Sequence, residues 1–285
     1  MSKKNKYEQI AHSLSESEVL ILLTGAGMSA DSGIPTYRGE NAAWGNVEGE
    51  REGAIFDIMN PAYLEAHPVY MWQRFGRRIH FFDEIVPHVG HDIILKWIQK
   101  YHLDYFCVTS NIDAQLQKSG FLEENIFELH GNIYRSQCSV PCNDAVWDTV
   151  IDFDVHNPIL SPNRLPNCPR CGALARPNCL IFRDKQFVKS VLDKQRQKWY
   201  SFLEHTKDKK ILVFEIGAGT HLPTIRSYTK NLVAKNTVLG IRINPQDFEI
   251  EMPHIGVREN ALKAILTIDD YCKVHQINKK IYKSY

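Results

Sequence analysis

Apolar residues along this chain form short runs rich in β-branched side chains, and longer amphipathic stretches separate these runs. The runs are typical of strands buried on both faces of a parallel sheet, and the stretches between them are typical of helices that cover those faces. The amphipathic stretches are clearest at residues 92–101 and 188–204. The predicted strands are residues 19–24, 105–110, 126–129, 211–216 and 238–243. The pattern therefore predicts an α/β fold, with a Rossmann-type parallel sheet and helices on both faces.

Two segments interrupt this alternation. Residues 38–87 read as helical and carry many aromatic side chains, whereas residues 137–175 are rich in cysteine, proline and asparagine and show little periodicity. We expect both to be insertions that together form a smaller lobe. Residues 1–37, 88–136 and 176–285 then form the larger domain, which contains the sheet.

Four of the seven cysteines fall in two close pairs, Cys138 with Cys142 and Cys168 with Cys171. Four thiolates complete the tetrahedral shell of a zinc ion and leave no open position, which is the pattern of a structural site. The alternative is four unrelated buried thiols. The pairs predict that the second insertion is a zinc-binding module.

Composition argues against several partners. The chain has 285 residues and a net charge of +1, so it lacks the concentrated basic field of a nucleic-acid-binding protein. No run approaches the roughly 20 apolar residues of a membrane span. The basic N-terminus is followed by an amphipathic segment instead of the apolar core of a secretory signal. We therefore expect a cytoplasmic protein without a membrane partner or a direct nucleic-acid partner.

A glycine-rich turn follows the first predicted strand. The hexapeptide Gly25-Ala26-Gly27-Met28-Ser29-Ala30 has the G-x-G-x-x-A spacing of dinucleotide-binding turns. In such turns the first glycine permits a tight turn, the second lets the backbone approach a pyrophosphate, and the small third residue lets the helix pack closely on the sheet. The turn predicts a dinucleotide site, and the alternative is a glycine turn that binds nothing.

Polar side chains follow two other predicted strands. Asn111 and Asp113 come directly after the second strand, and His130 directly follows the third. Ligands of open α/β sheets bind beyond the carboxyl ends of the strands, so this amide and this carboxylate are placed where they can contact a ligand. An unperturbed histidine titrates near pH 6.5 and can therefore accept a proton at neutral pH. The alternatives are an Asx turn that caps the next helix and a histidine with a structural role.

The string GAGMSADSGIPTYRG at residues 25–39, the string SNID at residues 110–113 and the dipeptide His130-Gly131 together resemble the signatures of the sirtuins, which are NAD-dependent protein deacylases. The resemblance implies that the acyl oxygen of a modified lysine attacks the nicotinamide ribose of NAD as nicotinamide leaves. His130 would then activate a ribose hydroxyl as the catalytic base. Asn111 and Asp113 would hold the nicotinamide pocket and the ribose.

The same resemblance implies further site residues. Tyr37 would shield the reactive face of the ribose, and Arg38 would lie near the phosphates. Leu180 and Phe182 match positions near the acyl-lysine tunnel. Arg78 matches the arginine of a Tyr-x-x-Arg motif that binds succinyl or malonyl groups in some sirtuins, and Phe75 stands in place of the tyrosine. The expected cofactor contacts are Gly25, Ala26, Gly27, Ser29, Tyr37, Arg38, Ser110, Asn111, Asp113, Gly217, Ala218, Gly219, Asn244 and Ala261.

Several residues depart from the family pattern. Ser110 stands where glutamine is usual, Gln115 where leucine is usual, and Ala114 and Arg183 where glycine is usual. Arg183 falls in residues 176–184, which resemble the sirtuin strand that pairs with a substrate peptide. The sequence thus predicts a lysine deacylase with NAD as cofactor and structural zinc. The alternatives are a sirtuin-like protein ADP-ribosyltransferase and a non-catalytic module that binds NAD or ADP-ribose.

Overall fold

The computed structural model describes residues 3–36, 58–156, 161–235 and 237–283. Its strands, in chain order from β1 to β9, are Val19–Thr24, Asp104–Thr109, Ile126–Glu128, Gly131–Cys138, Val146–Asp148, Ala175–Cys179, Ile211–Ile216, Val238–Ile243 and Ile255–Val257. Its helices, α1 to α9, are Lys3–Glu16, Ala26–Ala30, Pro61–Ala66, Pro68–Glu84, Gly90–Tyr101, Gln115–Lys118, Ser190–His205, Thr224–Val233 and Ala261–Lys283. Two 3₁₀ turns, Glu123–Asn125 and Pro162–Arg164, complete the set.

Six parallel strands form the main sheet in the order β3-β2-β1-β7-β8-β9. The chain moves outward from β1 to β3, crosses back, and continues outward from β7 to β9 on the other side. The topological switch point therefore lies between β1 and β7, which is where ligands of such sheets bind. This arrangement confirms the predicted Rossmann-type sheet.

Both faces of the main sheet are buried. Leu20 and Leu22 of β1 pack with α1, α5 and α9 in one apolar cluster. Val19, Ile21 and Leu23 point to the opposite face and pack with α7 and α8 in another cluster. Because β1 is buried on both sides, it reads in the sequence as a continuous apolar run. The five predicted strands are all present, with ends that differ from the prediction by at most one residue.

A second, antiparallel sheet has the order β5-β4-β6. Helix α4 packs on it in a third apolar cluster, and the indole Nε1 of Trp72 donates to the carbonyl oxygen of Ala175 at 2.8 Å. Strand β4 crosses the predicted domain boundary at residues 136/137, and β6 begins at the boundary at residues 175/176. The division into two domains stays a prediction.

Three strands differ from the sequence reading. Strands β4 and β5 occupy part of the region that shows little periodicity, and β6 ends at Cys179, before the residues 180–184 that were expected to continue it. Over the described ranges, no helix has both the length and the apolar character needed to cross a membrane.

Candidate active site

Two glycine loops meet at the carboxyl ends of β1 and β7. The N–H of Gly27 donates to the carbonyl oxygen of Gly217 at 3.0 Å. A Cβ atom on Gly25 would lie 2.7 Å from that oxygen, and one on Gly27 would lie 2.6 Å from the Cα of Gly217. Gly217 itself has a φ of +66°, which strongly favours glycine. The two loops are therefore in backbone contact, and this contact requires glycine at all three positions independently of any ligand.

The polar residues after β1 and β2 form one buried network. The hydroxyl of Ser29 donates to Oδ2 of Asp113 at 2.7 Å. Asn111 donates from Nδ2 to the hydroxyl oxygen of Ser29 and to the carbonyl oxygen of Gly25, both at 3.0 Å. All three polar side chains are buried. The structure thus brings together residues that the sequence predicted separately in the glycine turn and in the Asn-Asp turn.

Asp113 is held as an acceptor. Its Oδ1 accepts from the main-chain N–H of Gln115 at 3.0 Å, in addition to the bond from Ser29. Burial raises the pKa of the carboxyl group, and the bonds from Ser29 and Gln115 oppose that shift. Gln115 follows Ala114, which has a φ of +56° where the family pattern has glycine. The Asx turn proposed as an alternative is therefore present, and the same carboxylate also takes part in the network.

His130 lies at the end of β3, next to the end of β2. Its Nδ1 is 3.0 Å from the carbonyl oxygen of Ser110. A carbonyl oxygen only accepts, so Nδ1 carries the proton of the neutral ring and Nε2 keeps a lone pair. Burial lowers the pKa of His130, and the bond to Ser110 partly opposes this. The ring is therefore set up to accept a proton at Nε2.

A small pocket lies beside the Asn111–Asp113 turn, and the sequence analysis gave no site role to three of its polar side chains. Thr24, His91 and Gln115 line it together with Asp113 and other residues. Thr24 Oγ1, His91 Nε2 and both side-chain polar atoms of Gln115 are buried without a hydrogen-bond partner among the described residues. Burial lowers the pKa of His91 to about 4. The sequence signal that could have found these residues is a polar residue at a position where the hydrophobic pattern predicts an apolar one.

Glu128 was missed as well. Its carboxylate is buried two residues before His130 and accepts from Gln117, Asn132 and Gln195 at 2.6–3.0 Å. Arg135 adds an ion pair at 3.1 Å. Burial raises the pKa of Glu128, and the amide donors oppose this. Four donors on one buried carboxylate fix the end of β3 and thereby the backbone that carries His130.

The glycine loop after β7 is fixed by the side chain of Asn244, a residue that the sequence assigned to the cofactor. Nδ2 of Asn244 donates to the carbonyl oxygen of Ala218 at 3.0 Å, and its Oδ1 accepts from two main-chain N–H groups of its own loop. Ala261 begins α9 and is buried. A Cβ atom placed on Gly219 would have no neighbouring atom within 4 Å. Asn244 therefore holds Ala218 in place beside the glycine contact.

The segment after β6 lies against His130. The N–H of Leu180 donates to the carbonyl oxygen of His130 at 2.9 Å, and the N–H of Phe182 donates to that of Met59 at 2.9 Å. Leu180 is 42% exposed. Arg183 has a φ of +56° where the family pattern has glycine. The segment is therefore a turn beside the histidine.

Of the remaining predicted residues, Arg78 lies on α4. Its guanidinium carbon is 5.6 Å from the centroid of the Phe82 ring. Tyr37 and Arg38 lie outside the described residues, in the gap at 37–57.

The four predicted zinc ligands converge. The Sγ atoms of Cys138 and Cys171 are 3.7 Å apart, as are those of Cys142 and Cys168. All four sulfur atoms lie within 4.8 Å of one another. Four thiolates at about 2.3 Å from a tetrahedral zinc ion would be about 3.8 Å apart, so the cluster fits this ion. The alternative of four unrelated thiols is excluded by their convergence.

The chain resembles curated proteins over much of its length. It is 32% identical to an NAD-dependent protein deacylase of Pyrococcus furiosus over 174 residues, which are 61% of this chain and 64% of that protein. The chain thus matches less than two thirds of this relative. It is 29% identical to an NAD-dependent protein deacylase of Aquifex aeolicus over 256 residues, which are 89% of this chain and 95% of that protein.

Solved structures share the fold. A Sir2 homologue in complex with NAD is 23% identical, with a TM-score of 0.69 and coverage of 94% of each chain. A Sir2 protein with a deacetylated peptide and O-acetyl-ADP-ribose is 20% identical, with a TM-score of 0.66 and coverage of 93% of this chain and 98% of that chain. The Sir2 family model matches residues 25–206. Because this match spans more than half of the chain, from the glycine turn through the cysteine cluster, the protein belongs to the Sir2 family.

Proposed function

We propose that this chain is an NAD-dependent protein lysine deacylase, which releases nicotinamide and transfers the acyl group to ADP-ribose. The observation that carries the proposal is the hydrogen bond that joins His130, at the end of β3, to the carbonyl oxygen of Ser110, the residue before Asn111 of the buried Ser29–Asn111–Asp113 network. The first half of this reaction, the release of nicotinamide, needs the buried carboxylate. The second half, the activation of a ribose hydroxyl, needs a base with a free Nε2. The deacylases of Pyrococcus furiosus and Aquifex aeolicus support the same activity.

NAD would occupy the edge formed by the two glycine loops, and when bound it supplies a ribose carbon that becomes electrophilic as nicotinamide departs. Asn111 and Asp113 would bind the carboxamide and the sugar hydroxyls. The backbone around Gly25 and Gly217 would lie along the phosphates, and residues 244 and 261 would face the adenosine. His130 would take a proton at Nε2 from a ribose hydroxyl.

The peptide would lie along residues 180–183. The N–H groups of Leu180 and Phe182 are already bonded to the carbonyl oxygens of His130 and Met59, and the N–H of Ile181 donates to Oδ2 of Asp184 at 3.5 Å. Pairing with a substrate would therefore use the main-chain carbonyl oxygens of this segment. Leu180 and Phe182 would line the entrance for the acyl-lysine. Arg78, on α4, would contact the acyl group.

The cysteine cluster would hold a structural zinc ion through Cys138, Cys142, Cys168 and Cys171. Four thiolates leave no position for water or substrate, so the ion would take no part in bond breaking. We also propose that residues 1–37, 88–136 and 176–285 form the NAD-binding domain, that residues 38–87 and 137–175 form the small lobe, and that the protein acts in the cytoplasm on acylated lysines of other proteins.

Mass spectrometry of the products tests the proposal. The protein is incubated with NAD⁺, with and without an acetyl-lysine peptide, and the masses of the peptide and nucleotide products are determined. We expect peptide-dependent formation of nicotinamide and O-acetyl-ADP-ribose. ADP-ribose attached to protein would instead support the transferase, and an unchanged NAD⁺ pool with measurable NAD⁺ binding would support the binding module.

A further inference from the structure

A basic loop, which we define as Arg183, Lys185 and Lys189, follows β6 beside the candidate base. The segment starts from Leu180, whose N–H donates to the carbonyl oxygen of His130. Arg183 is three residues further along the chain. The loop therefore begins three residues after a main-chain contact with the candidate base.

The backbone of this loop is fixed by a buried ion pair. Both carboxylate oxygens of Asp184 accept from Arg176, at 2.9 and 2.7 Å, and the two side chains are 0% and 1% exposed. Oδ1 of Asp184 also accepts from the N–H of Gln186 at 3.0 Å. A bidentate pair of this kind has a defined geometry. It holds the turn in which Arg183 adopts a φ of +56°.

The same ion pair determines which charges face solvent. Asp184 is the only acidic residue between positions 181 and 190, and Arg176 neutralises it in the interior. Arg183, Lys185 and Lys189 are all exposed. Among the described residues, none of the three forms an ion pair. The exposed side of the loop is consequently positive, although the whole chain is close to neutral.

We propose that the basic loop makes this enzyme prefer acylated lysines that have aspartate or glutamate nearby in the sequence. The inference rests on the proposed deacylase function and names its substrate class as acidic peptide segments. Opposite charges at the surface attract each other over a few ångströms and are screened by salt. One exposed ion pair between the loop and the peptide should therefore change kcat/KM by about twofold to fivefold.

Three acetyl-lysine peptides test the proposal, identical except for glutamate, glutamine or lysine on either side of the modified residue. At low ionic strength we expect kcat/KM to fall in the order glutamate, glutamine, lysine, and we expect the differences to shrink at 0.5 M salt, where the Debye length is only about 4 Å. Arg183→Glu lowers the summed charge of Arg183, Lys185 and Lys189 from +3 to +1 and should shrink the differences most, whereas Arg183→Gly lowers it to +2 and should shrink them less. Glycine accepts the backbone conformation of this turn, so the second variant keeps its geometry.

Lys198→Glu is the matched control. Lys198 is an exposed cation on α7, outside the loop, so its substitution changes the net charge by the same amount and should leave the order of the peptides intact. NAD⁺ binding by each variant establishes that it is folded.

The proposal would be overturned by equal kcat/KM for the three peptides in the wild type, or by an effect of Lys198→Glu as large as that of Arg183→Glu. If none of the peptides is deacylated, the deacylase function itself fails, which is a different result from deacylation without a charge preference.

Discussion

The Nδ1 atom of His130 lies 3.0 Å from the main-chain carbonyl oxygen of Ser110. Because the acceptor is a backbone atom, this contact does not depend on the side chain at position 110, where serine stands in place of the glutamine usual in the family. The contact fixes both the orientation of the imidazole and the nitrogen that carries its proton. The catalytic assignment of His130 therefore survives the departure at Ser110.

The pH dependence of catalysis follows from the environment of His130. Burial disfavours the imidazolium and lowers its pKa below the ordinary 6.5. The neutral, proton-accepting form therefore persists to lower pH than for an exposed histidine. We expect kcat/KM for deacetylation to rise with pH, with a midpoint below 6.5, and to be level near pH 7. A midpoint above 6.5 would contradict this account.

His130→Ala should lower deacetylation by about 10²–10⁴-fold while NAD⁺ binding persists.

The contact between the glycine loops gives a matched pair of variants. Gly217→Ala would place a Cβ 2.4 Å from backbone atoms of Gly27 in a left-handed conformation, so we expect a loss of more than about 2 kcal/mol in unfolding free energy and at least tenfold weaker NAD⁺ binding. Gly219→Ala meets open space and should change stability by less than about 0.5 kcal/mol. Denaturant unfolding and titration calorimetry measure both. Equal effects of the two substitutions would argue against a steric interlock.

Metal analysis tests the cysteine cluster. Purified protein should contain about one zinc ion per chain, and Cys168→Ala should lose it. Because the binding free energy of a structural zinc ion contributes to folding, the variant should also be cleaved more readily by protease in residues 137–175. Cys272→Ala, which changes a buried cysteine of α9 outside the cluster, should retain the metal. Absence of zinc from the wild type would refute the assignment.

Two glutamines near the turn should respond oppositely to replacement by leucine. The side chain of Gln115 is buried without a partner among the described residues, so Gln115→Leu should raise the unfolding free energy by about 1 kcal/mol. Gln117 donates to the buried carboxylate of Glu128 at 2.8 Å, and Gln117→Leu should lower the same quantity by about 1.5–3 kcal/mol. Urea denaturation compares them. Destabilisation by Gln115→Leu would indicate that ordered water satisfies this amide.

We expect the acyl preference to depend on Arg78. If its guanidinium lines the tunnel, it binds the distal carboxylate of a succinyl group, although Phe75 replaces the tyrosine that accompanies this arginine in the family. We expect measurable desuccinylation alongside deacetylation, and a shift of the rate ratio toward acetyl in Arg78→Met. Arg77→Met is the control, because Arg77 is exposed on the same helix. An unchanged ratio in Arg78→Met would show that this arginine does not contact the acyl group.

The sequence revealed the parts of the molecule that depend on local patterns. Strand β1 is an unbroken apolar run because both of its faces are buried, and Asn111, Asp113 and His130 stood out because each follows the end of such a strand. Strand β4 was not predicted because its buried polar residues have distant partners. The side chain of Gln137, for example, is 0% exposed and bonds to Asn178 and Val188.

Backbone conformation was also hidden from the sequence. Ala114 and Arg183 both adopt a φ of +56°, which is uncommon for residues with a side chain. Only the tertiary structure shows that these two positions, where the family pattern has glycine, adopt the left-handed conformation in this chain. The unpartnered polar atoms of His91 and Gln115 likewise required knowledge of burial, since neither residue forms a recognisable motif with its neighbours.

The interlocked loops have a consequence for how this chain can vary. Gly25 and Gly27 follow β1 and Gly217 follows β7, yet the main chain of the Gly217 loop excludes a side chain at Gly25 and at Gly27, and the main chain of Gly27 excludes one at Gly217. A side chain at any of the three positions would collide with main-chain atoms, and replacing a neighbouring side chain cannot remove those atoms. A chimera that joins residues 1–210 of this chain to the corresponding C-terminal half of a relative should retain the cofactor edge only if the donor supplies a glycine at position 217.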